Sequence, residues 1–219
     1  MNRTESLCTL AAPACALALT LLCSGAWAGR PLSVDDANVD DKGTGHVEAW
    51  FAREAGGTNV LNVVPAYSPW EVVEFSIPLA RNRTDAVTSV GALVRVRITE
   101  PQKSGCNFLV ALGQQHQNPG GNQPYAYSAA TCKKNEFALN ANLGAAKPSG
   151  GSSFGTWGLA LERDHGDLVG HIEAFGQEHA KPTFQVGARK ELGKGLQVDG
   201  TVGRTDGDTI FSLGVKFSF

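Results

Sequence analysis

The stretch that decides the fold is "DTIFSLGVKFSF", residues 208–219. Phe211, Leu213, Val215, Phe217 and Phe219 share one parity, and Ser212, Gly214, Lys216 and Ser218 share the other. Period-two alternation describes a strand with one apolar and one polar face. A strand at a chain end frays unless something ties it down. A soluble sandwich would turn the apolar face inward. A membrane barrel turns it out to lipid and closes the last strand onto the first.

The same alternation recurs along the chain. "SVGALVRVRIT" sets Val90, Ala92, Val94, Val96 and Ile98 against Gly91, Arg95, Arg97 and Thr99. "EFALNANLGA" sets Phe137, Leu139, Ala141 and Leu143 against Asn140, Asn142 and Gly144. "TFQVGARKE" and "GLQVDGTVGR" continue the pattern, and such strands of about 9–11 residues suit a tilted bilayer crossing. The spacing predicts strands near 46–54, 58–67, 70–80, 88–99, 106–115, 124–132, 136–146, 155–163, 168–178, 183–191, 195–204 and 209–219. An even dozen is what a closed antiparallel barrel requires. "QHQNPGGNQP", "KPSGGSSFG" and "GQEHAKP" read as longer loops, whereas "SPW", "KKN", "DHGD" and "LGKG" read as tight turns. Long loops on one rim and short turns on the periplasmic rim is the outer-membrane arrangement.

The first 28 residues fix the expected compartment. They carry Arg3, an apolar run and the small-x-small ending Ala26-Trp27-Ala28, which reads as a secretory signal cut before Gly29. The apolar run is short for a spanning helix. Leu22 stands where a lipoprotein signal needs a small residue before Cys23. The predicted organisation is a signal over 1–28, a periplasmic N-terminal segment over 29–45 and a barrel over 46–219. The net charge of −2 offers no basic patch for nucleic acid. Cys106 and Cys132 alone remain after the signal, in an oxidising compartment. They lie about equally far from "NPGG", at the same end of one hairpin, and are a candidate disulfide. A one-residue slip would put them on opposite faces.

Alternation also fits a soluble lipocalin-like barrel. Two bulk features favour the membrane: charged residues make up 18% of the chain, below the roughly 25% of soluble domains, and the connections are hairpins. With the apolar parities facing lipid, the opposite parities place Glu48, Glu74, Arg95, Arg97, Glu162, Glu173, Arg189, Asp199 and Lys216 in the lumen. Their signs nearly balance, so paired ladders are expected, with Glu173 facing the Arg189 side. The outward alternative costs a few kcal/mol per charge near mid-bilayer.

The final Phe219 of an alternating last strand resembles the terminal signature of Gram-negative outer-membrane proteins. The resemblance implies recognition by the barrel-assembly machinery. "GRPLSVDDA" is similar to the Arg-Pro-Leu-x-x-Asp-Asp-Ala opening of barrels named for the meta-pathway of phenol degradation. "GHIEAFGQEHAKPTFQVGARKELGKGLQVDGTVGR" resembles that family's hairpins near the C-terminus: a strand with an inward Glu, then Pro-Thr, a Gly-x-Arg strand and a Gln-x-Asp strand. The resemblance implies passage of hydrophobic or aromatic compounds across the outer membrane.

Three other constellations carry less. Asp36-x-Asn38-x-Asp40 opens like a calcium loop, but Asp41 and Val47 stand where Gly and Glu are needed. That segment reads as an acidic lead-in, solvated or tucked into the barrel mouth. Gly151-Ser152-Ser153-Phe154-Gly155 satisfies G-x-S-x-G but precedes a strand, where a nucleophile elbow needs a helix. His46, His116, His165, His171 and His179 lack the close spacing of a metal site. His171 and Glu173 do share a strand face, which leaves a His-carboxylate hydrolase as the catalytic alternative. No cofactor and no catalysis are expected. The predicted protein is a twelve-stranded outer-membrane barrel for passive uptake of small, hydrophobic or aromatic solutes. A purely structural or adhesive barrel is its rival. Its partners are outer-membrane lipid, the assembly machinery and the solute.

Overall fold

A computed structural model describes residues 32–219; the expected signal over 1–28 lies outside the described residues. The strands are β1 (Gly45–Arg53), β2 (Asn59–Trp70), β3 (Val73–Ser76), β4 (Leu79–Asn82), β5 (Thr88–Arg97), β6 (Gly105–Asn118) and β7 (Gly121–Lys134). They continue as β8 (Phe137–Ala146), β9 (Phe154–Asp164), β10 (Leu168–Gln177), β11 (Thr183–Gly193), β12 (Leu196–Thr205) and β13 (Asp208–Ser218). Each pairs antiparallel with its neighbours, and β1 pairs with both β2 and β13. The sheet is therefore closed. β3 and β4 both lie between β2 and β5 and form one stave broken at Ile77-Pro78. Proline has no N–H to give the ladder, although its carbonyl still accepts from Gly91 N–H at 2.7 Å. Thirteen segments thus make a twelve-stranded closed antiparallel barrel.

Closure runs through the last residues. Glu48 stands opposite Lys216 and Phe51 opposite Leu213, and the pairing extends past β13, where the backbones of Gly45 and Phe219 exchange two hydrogen bonds of 2.9 Å. We call the rim carrying Gly45 and Phe219 the lower rim. Asp206-Gly207 at the upper rim and Lys194-Gly195 at the lower rim are two-residue turns with positive φ at both positions. Such turns twist in the same sense as the strands they join.

Two connections differ from the sequence expectation. "QHQNPGGNQP" is not a long loop: β6 runs to Asn118, β7 starts at Gly121, and Pro119-Gly120 turns between them. Cross-strand pairing of Gln115 with Gln123 and His116 with Asn122 holds these polar residues in the ladder. "SPW" is not the second turn, because β2 continues through it to Trp70 and the chain reverses at Glu71-Val72. Polarity marks loops only by correlation, and here the hairpin ladder overrides it.

The two faces are inverted relative to a soluble protein. Leu112 is 68% exposed, Leu143 67% and Leu213 63%, all on the outside, while Lys216 is 2% exposed and Gln197, Asn107 and Asn140 are fully buried inside. The buried apolar residues of the wall are mostly alanines. Apolar surface left in water forgoes about 25 cal/mol per Å², so this outer belt requires an apolar solvent. Among the described residues no helix is long and apolar enough to cross a membrane; crossing by strands needs none.

Candidate functional site

The site is the lumen together with a segment of the chain that enters it. Residues 32–44 precede β1: exposed Asp41, Lys42 and Gly43 turn at the lower rim, and residues 32–40 lie inside the barrel. Leu32, Val34, Asp36, Ala37 and Asp40 are all buried. This is the stretch read as a periplasmic lead-in or a tuck into the mouth. It reaches as far as Phe175 and Ala160, against which Leu32 and Val34 pack. Gly158 makes the room: a Cβ there would stand 2.8 Å from Cγ2 of Val34.

Gly43 and Thr44 exchange backbone hydrogen bonds with Ser68 of β2, but residues 32–40 have no strand partner, so side chains of the wall satisfy their backbone. The N–H groups of Ser33 and Val34 both donate to Oε2 of Glu173, at 2.8 and 2.9 Å. Asp35 N–H donates to Oδ1 of Asn142 at 2.6 Å, and Asn142 Nδ2 donates back to the Asp35 carbonyl at 2.8 Å. Ala37 is held the same way: its N–H donates to Oγ1 of Thr131 and its carbonyl accepts from Nδ2 of Asn107. Asp40 N–H donates to Oε2 of Glu74 at 3.0 Å. Buried backbone groups must find partners, and here the barrel wall supplies them.

Arg95 ties the segment to the wall electrostatically. Its Nη1 donates to Oε1 of Glu74 at 2.8 Å, and its Nη2 donates to Oδ1 of Asp35 at 2.9 Å and to the Asp36 carbonyl at 3.0 Å. The Tyr127 hydroxyl takes the other Asp35 oxygen at 2.5 Å. One guanidinium thus holds two wall strands and the segment in a fixed fork.

The remaining charges expected in the lumen also point inward. Oε2 of Glu162 forms an ion pair with Nη2 of Arg189 at 2.6 Å, and its Oε1 accepts from Nδ2 of Asn140 at 2.6 Å. Asn140 Oδ1 accepts in turn from Thr131, so one chain of contacts runs from Ala37 to Arg189. Glu173 was expected on the Arg189 side. Instead Arg189 turns to Glu162, while Glu173 accepts from Gln185 at 2.5 Å and from the segment. Register explains this: Glu173 stands opposite Gln185, and Arg189 opposite Val169. Lys216 Nζ lies 3.9 Å from Glu48, Asp199 is buried opposite Arg189, and Arg97 pairs with Glu100 at the lower rim.

Cys106 and Cys132 are directly opposite each other, 4.0 Å apart at Cα, and are joined by a disulfide. They share parity with Phe108 and Ala130, so the bond lies on the outer face by the lower rim. Phe219 is exposed beside Phe217, their ring centroids 6.3 Å apart.

One grouping escaped the sequence reading. Asp40, His46 and Glu74 bring ligand atoms within 4.8 Å of one another, all buried. The segment delivers Asp40, which spacing along the chain did not reveal. His46 Nδ1 pairs with Asp40 Oδ2 at 2.6 Å, and Glu74 is held by Arg95 and by the Asp40 N–H. A cation would have to displace these partners. His171 and Glu173 are 3.8 Å apart with fully buried side chains, and the segment's N–H groups occupy Glu173. The G-x-S-x-G stretch spans the upper-rim loop and the start of β9.

Above the segment the lumen is open. A cavity of about 1170 Å³ reaches from Asp40, His46 and Lys216 to Arg53, Glu54 and Lys181 at the upper rim.

The family described as "Uncharacterised conserved protein UCP029691" matches residues 11–210. No curated protein matches the sequence. Among solved structures the chain is similar to the "KdgM porin in complex with disordered oligogalacturonate", at 9% identity and a TM-score of 0.69, covering 80% of this chain and 99% of that one. It is also similar to the NanC porin, at 7% identity and a TM-score of 0.61, covering 79% and 98%. A third is the COG4313 outer membrane channel from Pseudomonas putida F1, at 10% identity and a TM-score of 0.56, covering 84% and 98%. At these identities the likeness is one of fold.

Proposed function

The chain belongs to the UCP029691 family, and we propose that it is a bacterial outer-membrane channel for passive uptake of small solutes, narrowed by its own N-terminal segment. The observation that carries this reading is the cavity of about 1170 Å³ that opens at the upper rim and reaches down beside residues 32–40 to His46 and Lys216. A barrel serving only as a scaffold would gain stability from filling that space, since interiors pack to crystal-like density. The outer apolar belt supports residence in a bilayer, and the porin-type fold of its structural neighbours supports the outer membrane. The lower rim then faces the periplasm. The exposure of Phe219, just past the closing strand, supports recognition by the assembly machinery.

The role is transport rather than catalysis. His171 and Glu173, the one pairing that suggested a hydrolase, are closed off by the segment. The narrower resemblance to barrels of the phenol meta-pathway would make hydrophobic or aromatic compounds the solutes, and the rings lining the upper lumen support an apolar contribution to passage. Purified protein in planar bilayers tests the reading. Discrete conductance steps are expected, smaller than those of an open twelve-stranded lumen. Silent membranes, together with no uptake into liposomes, would leave a structural barrel.

A further inference from the structure

The inner wall is divided by height. The ionisable side chains that face inward on the strands, from Glu48 and Lys216 on one side to Glu162 and Arg189 on the other, lie in the lower half or beside the segment. Above Glu48 the strand β1 presents Trp50 and Ala52, above Arg95 the strand β5 presents Leu93, Gly91 and Ser89, and above Arg189 the strand β11 presents Gly187, Gln185 and Thr183. The floor of this upper chamber carries Asp35, whose carboxylate is already held by Arg95 and Tyr127. Among the described residues that line the cavity, charges reappear at the mouth, as Arg53, Glu54 and Lys181.

What lines the chamber between floor and mouth is of two kinds. Trp50, Tyr125, Phe154 and Phe175 give ring faces, and amides such as Gln115 and Gln123 stand on adjacent strands. Tyr125 lies flat along the wall across Gly113, where a Cβ would come within 2.3 Å of its ring. That glycine keeps the ring's face toward the lumen. An amide both donates and accepts, so it matches a hydroxyl in either role. Among the described residues, this chamber's strand wall carries no inward cation to neutralise an anionic solute and no carboxylate to hold a cationic one.

From this pairing of ring faces with amides, in a chamber whose described strand wall carries no charge, we infer that the upper lumen is a binding site for neutral sugars. The C–H face of a pyranose lies on Trp50 or Tyr125, and its hydroxyls bond to the amides. A pocket for a small ligand is typically apolar with a few placed polar groups, and this chamber has that composition. The inference rests on the channel reading and names neutral sugars as its solute class in place of the hydrophobic or aromatic compounds that the resemblance implies, but binding itself does not require conduction.

Two measurements separate the proposals. Calorimetry on the detergent-purified barrel, titrated with maltose, galacturonic acid, glucosamine or phenol, reads binding directly. Maltose is expected to bind while the two charged sugars bind at least tenfold more weakly. Trp50→Ala and Tyr125→Ala should each weaken maltose about tenfold, or ~1.4 kcal/mol. Trp50→Phe should retain most of the affinity, and unchanged heat-modifiability of each variant shows that the barrel has formed. In bilayers, maltose should interrupt the ion current of the wild-type protein. Equal or tighter binding of either charged sugar, or binding of phenol without maltose, would overturn the sugar assignment and leave the channel intact. Maltose binding by a barrel that conducts nothing would uphold the assignment and sink the channel.

Discussion

Oδ1 of Asp35 lies 2.9 Å from Nη2 of Arg95, across 59 intervening residues of chain, and the contact joins the lumenal segment to strand β5. Arg95 also holds Glu74 at 2.8 Å, so one side chain fixes the segment against two staves. Replacing Arg95 with Gln should release the segment and raise single-channel conductance severalfold. The loss of stability should be on the order of 2 kcal/mol, below the roughly 3–5 kcal/mol of a dry interior because the lumen holds water. Arg97→Gln is the control, since Arg97 engages Glu100 at the lower rim. It should shift cation/anion preference and leave pore size alone. Equal effects of the two changes would show that Arg95 is no anchor.

Gly158 admits Val34 by having no side chain. A Cβ at position 158 would stand 2.8 Å from one Val34 methyl carbon and 3.3 Å from the other. Gly158→Val should therefore displace the upper part of the segment, seen as protease cleavage near residues 32–36 in folded barrels. Val34→Ala in the same chain should restore protection. Neighbouring changes that share a contact couple in this way. Protection unaffected by Gly158→Val would place the segment elsewhere.

The cystine on the outer face closes a loop of 26 residues within one hairpin. Chain entropy alone would give about 3.5 kcal/mol, and the hairpin already holds the ends together, so ~1–2 kcal/mol is expected. Cys106→Ser with Cys132→Ser should lower the temperature at which the heat-modifiable band converts. Under reducing conditions wild-type protein should behave like the double variant. Identical mobility with and without reductant, with both thiols open to labelling, would exclude the bond in the cell-made protein.

Leu143 and Thr201 test which face meets lipid. Leu143 is 67% exposed on the outside and Thr201 is buried inside, bonded to Ser212 at 2.8 Å. Leu143→Arg should cost about 2–4 kcal/mol if the residue lies near mid-bilayer, measured by reversible unfolding from liposomes. Thr201→Arg should cost less, because its charge meets a water-filled lumen. The reverse ranking would invert the barrel's faces.

Period-two alternation determined most of the architecture, because a strand's two faces are written two residues apart. From Phe211 to Phe219 the parity separates an apolar face from a polar one, while the low share of charged residues pointed the apolar face outward; in the structure Glu48, Arg95, Glu162 and Lys216 lie on the inner wall. Strand ends followed within a few residues except where the ladder ran on through polar sequence, as between Gln115 and Pro124. What tertiary structure decided are matters of register and of non-local contact. Arg189 meets Glu162 rather than Glu173 because the strand offset between β10 and β11 sets which side chains share a level. For residues 32–44 the sequence left a solvated lead-in and a tuck into the mouth both open: with no periodicity of their own, they are held by groups up to 140 positions away, such as Glu173. A backbone without a ladder goes wherever its N–H and carbonyl groups find partners, and only the closed barrel brings Asn142, Thr131, Asn107 and Arg95 around one axis.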